Sequence, residues 1–346
     1  MSFMSKTRGS VLALALAFSG VFVSSEQALA WGAAGHRMIG EVAGEALPSD
    51  LPAFLRKPGA ITDLGEYSRE PDRWKNAGRI HDFERDPAHY INIRDDGTTM
   101  AGQTLDKMPG SRGEFDGTLR AAGIEPHRSG YLYYALMDAW QQVVKDFAYI
   151  RALTVAIRTE SNPARKAWLR EDLARREALT LRDIGVLSHY VGDAAQPLHV
   201  TVHFNGWTGA DNPEGFTKER IHGPLEGRFI VESVTKEAVR ASVAPYKPCR
   251  DGMAVCVGAR LKRSHAQVIP LYQLEKAGGF VGGDPRGKAF MTARLAEGVT
   301  DLRDMIVDAW AESANSEIGW PALKVRDIEA GNPLKTPLYD SLYGED

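Results

Sequence analysis

Cysteine is scarce. The chain of 346 residues has two, Cys249 and Cys256, seven positions apart. Two sulfurs cannot complete a four-cysteine metal site. In an oxidising compartment so close a pair is expected to form a local disulfide, with two reduced thiols as the alternative. An excess of charge of one sign is also lacking: 42 Lys+Arg stand against 45 Asp+Glu, a formal net charge of −3. That excludes a broad basic field, so a polyanion would have to be held at a local site rather than on a charged face. After residue 30 no long apolar run occurs, and internal repeats and low-complexity linkers are missing. The 43% hydrophobic and 25% charged residues are an ordinary globular balance, which excludes a mainly disordered or fibrous chain.

The first thirty residues read differently from the rest. Lys6 and Arg8 precede an apolar run of 13 residues, Val11 to Val23, and Ala28-Leu29-Ala30 ends the segment in a small-x-small pattern. These regions stand in the order of a cleaved signal peptide, and the run is short of the about 20 residues a membrane span needs. A buried N-terminal helix is the alternative. Cleavage after Ala30 would leave Trp31 as the first residue of an exported, periplasmic or secreted chain.

Apolar residues recur mostly at three-to-four spacing, so the expected class is mainly α, in one domain spanning 31–346. Helices are predicted over Tyr131 to Leu153, Ala164 to Gly192, Glu219 to Arg240, Val255 to Lys276 and Arg286 to Trp310. Strand-like alternation is scarce; Tyr90-Ile91-Asn92-Ile93 is the best short candidate.

Nine histidines are present, and several are regularly placed. His189 and Asp193 stand at i and i+4, which puts imidazole and carboxylate on one helix face. Pro197 disfavours further helix, so His199 comes off the next turn. Three side chains that are costly to bury thus emerge together between apolar flanks, and imidazole with carboxylate is a ligand set that zinc accepts. A structural His–Asp pair beside an exposed His199 is the competing reading. His222 and Glu226 repeat the i, i+4 spacing, with Gly223-Pro224 between them, so a helix can start as late as Pro224. Two further elements are Trp31-Gly32-Ala33-Ala34-Gly35-His36 and Asp72 with His89. Taken singly, their residues are more often caps or structural groups.

Together these elements resemble the superfamily of trinuclear zinc phosphodiesterases, which includes the single-strand-specific nucleases of fungi and plants and the zinc-dependent bacterial phospholipases C. The match is an N-terminal Trp followed by His, then Asp, His, H-x-x-x-D, His and a final H-x-x-x-[DE], in order from Trp31 to Glu226. It spans about two-thirds of the chain after residue 30 at its motifs. The resemblance implies a mainly helical fold of that type with three zinc ions at the base of a cleft. Asp72, His89 and His189 would hold one zinc. The Trp31 amine and carbonyl with His36 would hold a second, Asp193 would bridge these two, and His199, His222 and Glu226 would hold the third. Asp72, His189 and Asp193 would then be the catalytic centre, and the reaction phosphodiester hydrolysis by zinc-activated water.

Substrate cues are mixed. Glu226 stands where the nucleases usually carry Asp and the phospholipases Glu, whereas the 23-residue step from His199 to His222 and Gln196-Pro197-Leu198-His199 lean to the nucleases. By the same resemblance Tyr90 would stack on a base and Asn92 would hydrogen-bond it, and base preference is altered or relaxed because Asn92 replaces an acid. Lys75, with Arg73 nearby, stands where an arginine would contact phosphate and lacks its bidentate fork. His203, Phe204 and Trp207 are either a rim for the cleft or a structural loop. His81, His127 and His265 match no motif and are expected to be surface or structural. The leading expectation is an exported endonuclease cutting single-stranded DNA and RNA to 5′-phosphates. A phospholipase C at a phospholipid surface and a non-catalytic zinc-binding protein are the alternatives. No obligate protein partner is expected, and a monomer is the simplest state.

Overall fold

The computed structural model describes residues 31–344, and the expected signal peptide lies outside the described residues. The chain is mainly helical. Its frame is a hairpin of two long helices, Leu132–Thr159 and Pro163–Ala195, packed on a third, Pro285–Ser313. The hairpin turns sharply because Asn162 caps the second helix, its side chain accepting from the backbone N–H groups of Ala164 and Arg165, with Pro163 preset for the first turn. The N-terminal helix Gly32–Glu45 packs against Pro58–Tyr67, Pro163–Ala195 and Pro285–Ser313. Gly185 permits the approach of Pro58–Tyr67 to the long helix: a Cβ there would lie 2.3 Å from the Tyr67 Cβ. One continuous apolar core joins these elements, with Trp31, Ile39, Ile91, Leu187, Val191, Leu295 and Leu302 inside it.

The predicted helices at 131–153, 164–192 and 286–310 each correspond to one of these long helices. Two others are broken. The segment 219–240 splits into His222–Pro224, a π-turn Leu225–Phe229, Ile230–Ser233 and Lys236–Ala241. Thr235 starts the last piece by accepting from Ala238 N. The segment 255–276 divides into Met253–His265 and Val268–Lys276. Tyr90–Ile93 is not a sheet strand; it makes only the isolated bridges Ile91 to Gly130 and Ile93 to Thr99. Gly130 takes φ 81°, and any Cβ there would fall 2.1 Å from the Tyr90 carbonyl oxygen, so that contact requires glycine. The two-residue strands Glu317–Ile318 and Leu323–Lys324 pair near the C-terminus. Cys249 and Cys256 are disulfide-bonded, as the spacing suggested. Among the described residues no helix is long and apolar enough to cross a membrane.

A buried carboxyl in the hairpin has a stability consequence. Asp146 is fully buried and accepts from Arg176 and Gln142 through one oxygen. Burial, and next the neighbouring Asp183, push its pKa up to about 7. The folded state therefore holds a proton that the unfolded chain releases near pH 4, and stability falls as pH rises from about 4 to about 7. Asp146→Asn removes this penalty while keeping an oxygen for Arg176. The variant should gain on the order of 1–3 kcal/mol over the parent at pH 8 and little at pH 4, read by denaturant melts at both pH values.

Candidate metal centre

Five separate pieces of chain converge beneath a cleft. His36 lies in the second turn of Gly32–Glu45, Asp72 in the short helix Glu70–Arg73, and His89 at the end of the 3-10 turn Asp86–His89. His189 and Asp193 occupy the last turns of Pro163–Ala195, and His199 ends the 3-10 turn Pro197–His199 that follows. Proline stops the helix where expected, and the Gln196 side chain caps the new turn by accepting from Leu198 N. His222 and Glu226 straddle the start of the π-turn, a helical irregularity that recurs at functional sites.

Backbone carbonyls orient the imidazoles. His189 Nδ1–H donates to Ser68 O at 2.8 Å, His199 Nδ1–H to His89 O at 2.5 Å and His222 Nδ1–H to Phe204 O at 2.8 Å. A carbonyl only accepts, so each Nδ1 carries a proton and each Nε2 is turned toward the cluster, the arrangement that supports metal ligation. His189 Nε2 lies 2.8 Å from His89 Nδ1 and 3.3 Å from Asp193 Oδ2, with Asp72 Oδ1 4.0 Å from both nitrogens. The other Asp193 oxygen is 3.6 Å from His36 Nε2. His222 Nε2 lies 2.8 Å from Glu226 Oε2 and 3.0 Å from His199 Nε2, and His199 Nε2 is 3.3 Å from Glu226 Oε1.

Three groups can therefore hold metal ions: His36, His189 and Asp193; Asp72, His89 and His189; and His199, His222 and Glu226. His189 belongs to two of them, but its Nδ1 is spent on Ser68, so its single free nitrogen can serve one ion. Its shorter contact is to His89, which favours the group with Asp72. Trp31 is fully buried at the start of the helix that carries His36, and its indole donates to Gly192 O, the residue before Asp193, at 2.5 Å. Its own carbonyl accepts from Gly35 N at 3.1 Å.

The fit to cations rests on orphaned atoms. Both ring nitrogens of His36, Asp193 Oδ1 and both Glu226 oxygens are buried without a hydrogen-bond partner. Buried polar atoms are rarely left so, and a carboxylate taken from water is costly unless neutralised. Burial alone would raise the carboxyls of Asp72, Asp193 and Glu226. The surrounding imidazoles outweigh it, with Lys75 helping at Asp72, and all three lie below their ordinary range, Asp193 well below. Burial and then His189 lower His36 to about 3, and burial and then Lys75 lower His89 to about 4. Both rings are neutral lone-pair donors at neutral pH. His199 differs: burial would lower it, but Asp193 and Glu226 prevail and raise it to about 9. The field between those carboxylates calls for positive charge, supplied by a proton or by a metal.

Above the cluster lies a cavity of about 680 Å³ whose lining includes His89, His199 and His222 together with Lys75, Tyr90, Asn92, Arg128 and Phe204. The three residues expected at the substrate thus share one wall system. The Tyr90 hydroxyl donates to His127 O at 2.6 Å, so its ring rather than its oxygen is on offer. Asn92 Nδ2 donates one hydrogen to Arg128 O at 2.6 Å, which leaves its oxygen and its second N–H open. One amide hydrogen remains beside that oxygen, so the side chain still offers both a donor and an acceptor, where an acid only accepts. Lys75 Nζ sits 2.6 Å from Asp72 Oδ1.

The 203–207 loop divides. Phe204 is half-exposed at the cavity. His203 and Trp207 are structural: their rings stack at 3.7 Å, His203 Nδ1 accepts from Thr208 N and its Nε2 faces Asp95 Oδ1 at 2.9 Å. Among the described residues His81, His127 and His265 join no metal-ligand group, as expected. Sequence reasoning missed the three orienting carbonyls, which carry no side-chain signal. It also missed Tyr190, whose ring stands edge-on to His89 and His189 at 5.9 and 5.7 Å. No family model, curated protein or solved structure matches the chain.

Proposed function

We propose that this chain is an exported zinc-dependent phosphodiesterase of the trinuclear nuclease type, acting on single-stranded nucleic acid. The observation that carries the reading is the convergence of three ligand groups, two of which bring His89, His199 and His222 to the lining of a cavity that also holds Lys75, Tyr90, Asn92 and Phe204. Nitrogen and oxygen donors without sulfur suit zinc. Asp72, His89 and His189 would hold one ion, His36 with the Trp31 backbone a second, and His199, His222 and Glu226 the third, with Asp193 shared between the first two. Bound zinc would supply Lewis acidity toward phosphate oxygens and would lower the pKa of water toward neutrality.

The residues of the chain do the rest. Ser68, His89 and Phe204 carbonyls hold three imidazoles in one tautomer. Lys75 brings a cation to the cavity beside Asp72, where it can meet a phosphate as a point charge. Tyr90 offers a ring face, Asn92 an amide oxygen and a second N–H for a base edge, and Phe204 a second apolar surface at the mouth.

Incubation of purified protein with denatured DNA and, separately, with phosphatidylcholine vesicles tests the proposal. Oligonucleotides with 5′-phosphates are expected from the first. Phosphocholine release without DNA cleavage would assign the phospholipase chemistry instead, and bound zinc without turnover of either would leave a zinc-binding protein. Within the nuclease reading, Tyr90→Ala should raise KM for a short single-stranded oligonucleotide by about 5- to 150-fold with kcat little changed, the loss of one stacked base. Tyr90→Phe should keep KM, since the ring remains.

A further inference from the structure

A second cavity, of about 820 Å³, lies behind the first. The chain from Glu84 to Tyr90 runs between them: Glu84, Arg85 and Ala88 line the second, Asp86, His89 and Tyr90 the first. Tyr190 forms the wall toward the metal centre. It is 5% exposed and lines the second cavity, yet its hydroxyl makes no hydrogen bond among the described residues. The hydroxyl opens onto the cavity without a protein partner, so it is free to donate to whatever fills the space.

The charges lining the cavity pair off with two left over. Arg112 meets Glu84 at 3.0 Å and Arg182 meets Asp183 at 2.7 Å. At the solvent-exposed rim Arg85 has no carboxylate and Asp138 no cation within 4.0 Å among the described residues, and Arg85 lies over the Trp74 ring at 5.3 Å. An unpaired guanidinium, an unpaired carboxylate, a free phenol and aromatic walls suit a ligand with an anionic group, an N–H donor and a planar body. The volume is that of a small-molecule site.

We infer that this cavity is a second ligand site, taking a nucleoside monophosphate with its phosphate at Arg85 and the Tyr190 hydroxyl and its base amine toward Asp138. The choice of a nucleotide rests on the proposed nuclease reading, whose products are 5′-monophosphates; the unpartnered groups do not. Because Tyr190 abuts His89 and His189, a ligand here sits against the rear of the metal centre, and accumulated product would slow turnover from outside the substrate cleft.

Calorimetric titration of the zinc-loaded protein with AMP tests this, alongside AMP inhibition of single-stranded DNA hydrolysis. Two AMP sites and a noncompetitive component of inhibition are expected. Arg85→Ala should weaken one site by about tenfold or more, with the other site and uninhibited kcat unchanged, and Tyr190→Phe should weaken the same site by about three- to tenfold, both with melting temperatures near the parent's. Isotherms identical in parent and both variants would overturn the site. Arg85-dependent binding of phosphocholine but not AMP would overturn the nucleotide assignment. Arg85-dependent AMP binding in a protein that cleaves no DNA would uphold this site while the proposed function fails.

Discussion

Asp193→Asn is expected to lower kcat on single-stranded DNA by on the order of 10³-fold, measured at matched zinc content. Both oxygens of this carboxylate are engaged. Oδ2 is 3.1 Å from His89 Nδ1 and 3.3 Å from His189 Nε2, and Oδ1 faces His36 Nε2 at 3.6 Å. Among the described residues no other carboxylate lies within 4.0 Å of both His36 and His89, so Asp193 is the carboxylate placed to join the first two ligand groups. An amide keeps the size and the helix position but offers one oxygen. Its nitrogen carries two hydrogens and no lone pair for a metal. Whichever way the amide turns, one ligand group loses its shared donor. The substitution also removes the charge that, with Glu226, holds His199 cationic in the absence of metal. Steady-state kinetics paired with metal analysis reads the effect. Near-parental activity at equal zinc would contradict the bridging assignment.

The candidate site was legible in the sequence because its ligands are costly to bury and two of its pairs share helix faces. His189 with Asp193 and His222 with Glu226 needed only the helical period to meet, and Pro197 marked where the chain turns to deliver His199. His36, Asp72 and His89 were different. Each is an ordinary residue until distant segments pack, and only a resemblance across the whole motif order singled them out. The long helices were equally plain, since their apolar faces run for many turns. The short ones were not, because Gly223-Pro224 and the π-turn are local compromises that place His222 and Glu226 against His199.

Polar fine structure was the least legible. Asn92 reads as donor and acceptor from its chemistry alone. Only the structure shows that Arg128 O, across a bend that Gly130 permits, takes one of its two amide hydrogens and fixes its orientation. His203 follows the core motif as closely as a ligand would, yet its ring is consumed by Trp207, Thr208 and Asp95. Such outcomes depend on which backbone groups arrive from elsewhere, and no periodicity encodes that. Tyr190 was hidden for the same reason: within the H-x-x-x-D segment it looks like core filling, and its free hydroxyl appears only once a cavity forms behind it.

Chelation should unfold as well as inactivate. The buried carboxylates Asp193 and Glu226 and the partly buried Asp72 are held ionised, and among the cluster's imidazoles His36 and His89 are neutral at neutral pH. Against these three charges stand the His199 cation and Lys75 beside Asp72, so without metal the centre is still short of positive charge in a region shielded from water, and the orphaned atoms of His36, Asp193 and Glu226 stay unpaired. Any ion bound only by the folded chain stabilises it by mass action, about 4 kcal/mol per site at a thousand times its Kd. Loss of three such ions outweighs the reserve of many domains. Treatment with EDTA should lower the melting temperature by on the order of 10 °C or more and abolish hydrolysis, and added zinc should restore both. The ligands come from five separate pieces of chain, so the loss should appear as one cooperative shift rather than as local fraying. Metal analysis showing complete removal, with an unchanged melt, would sink the claim that these groups are a metal centre coupled to the fold.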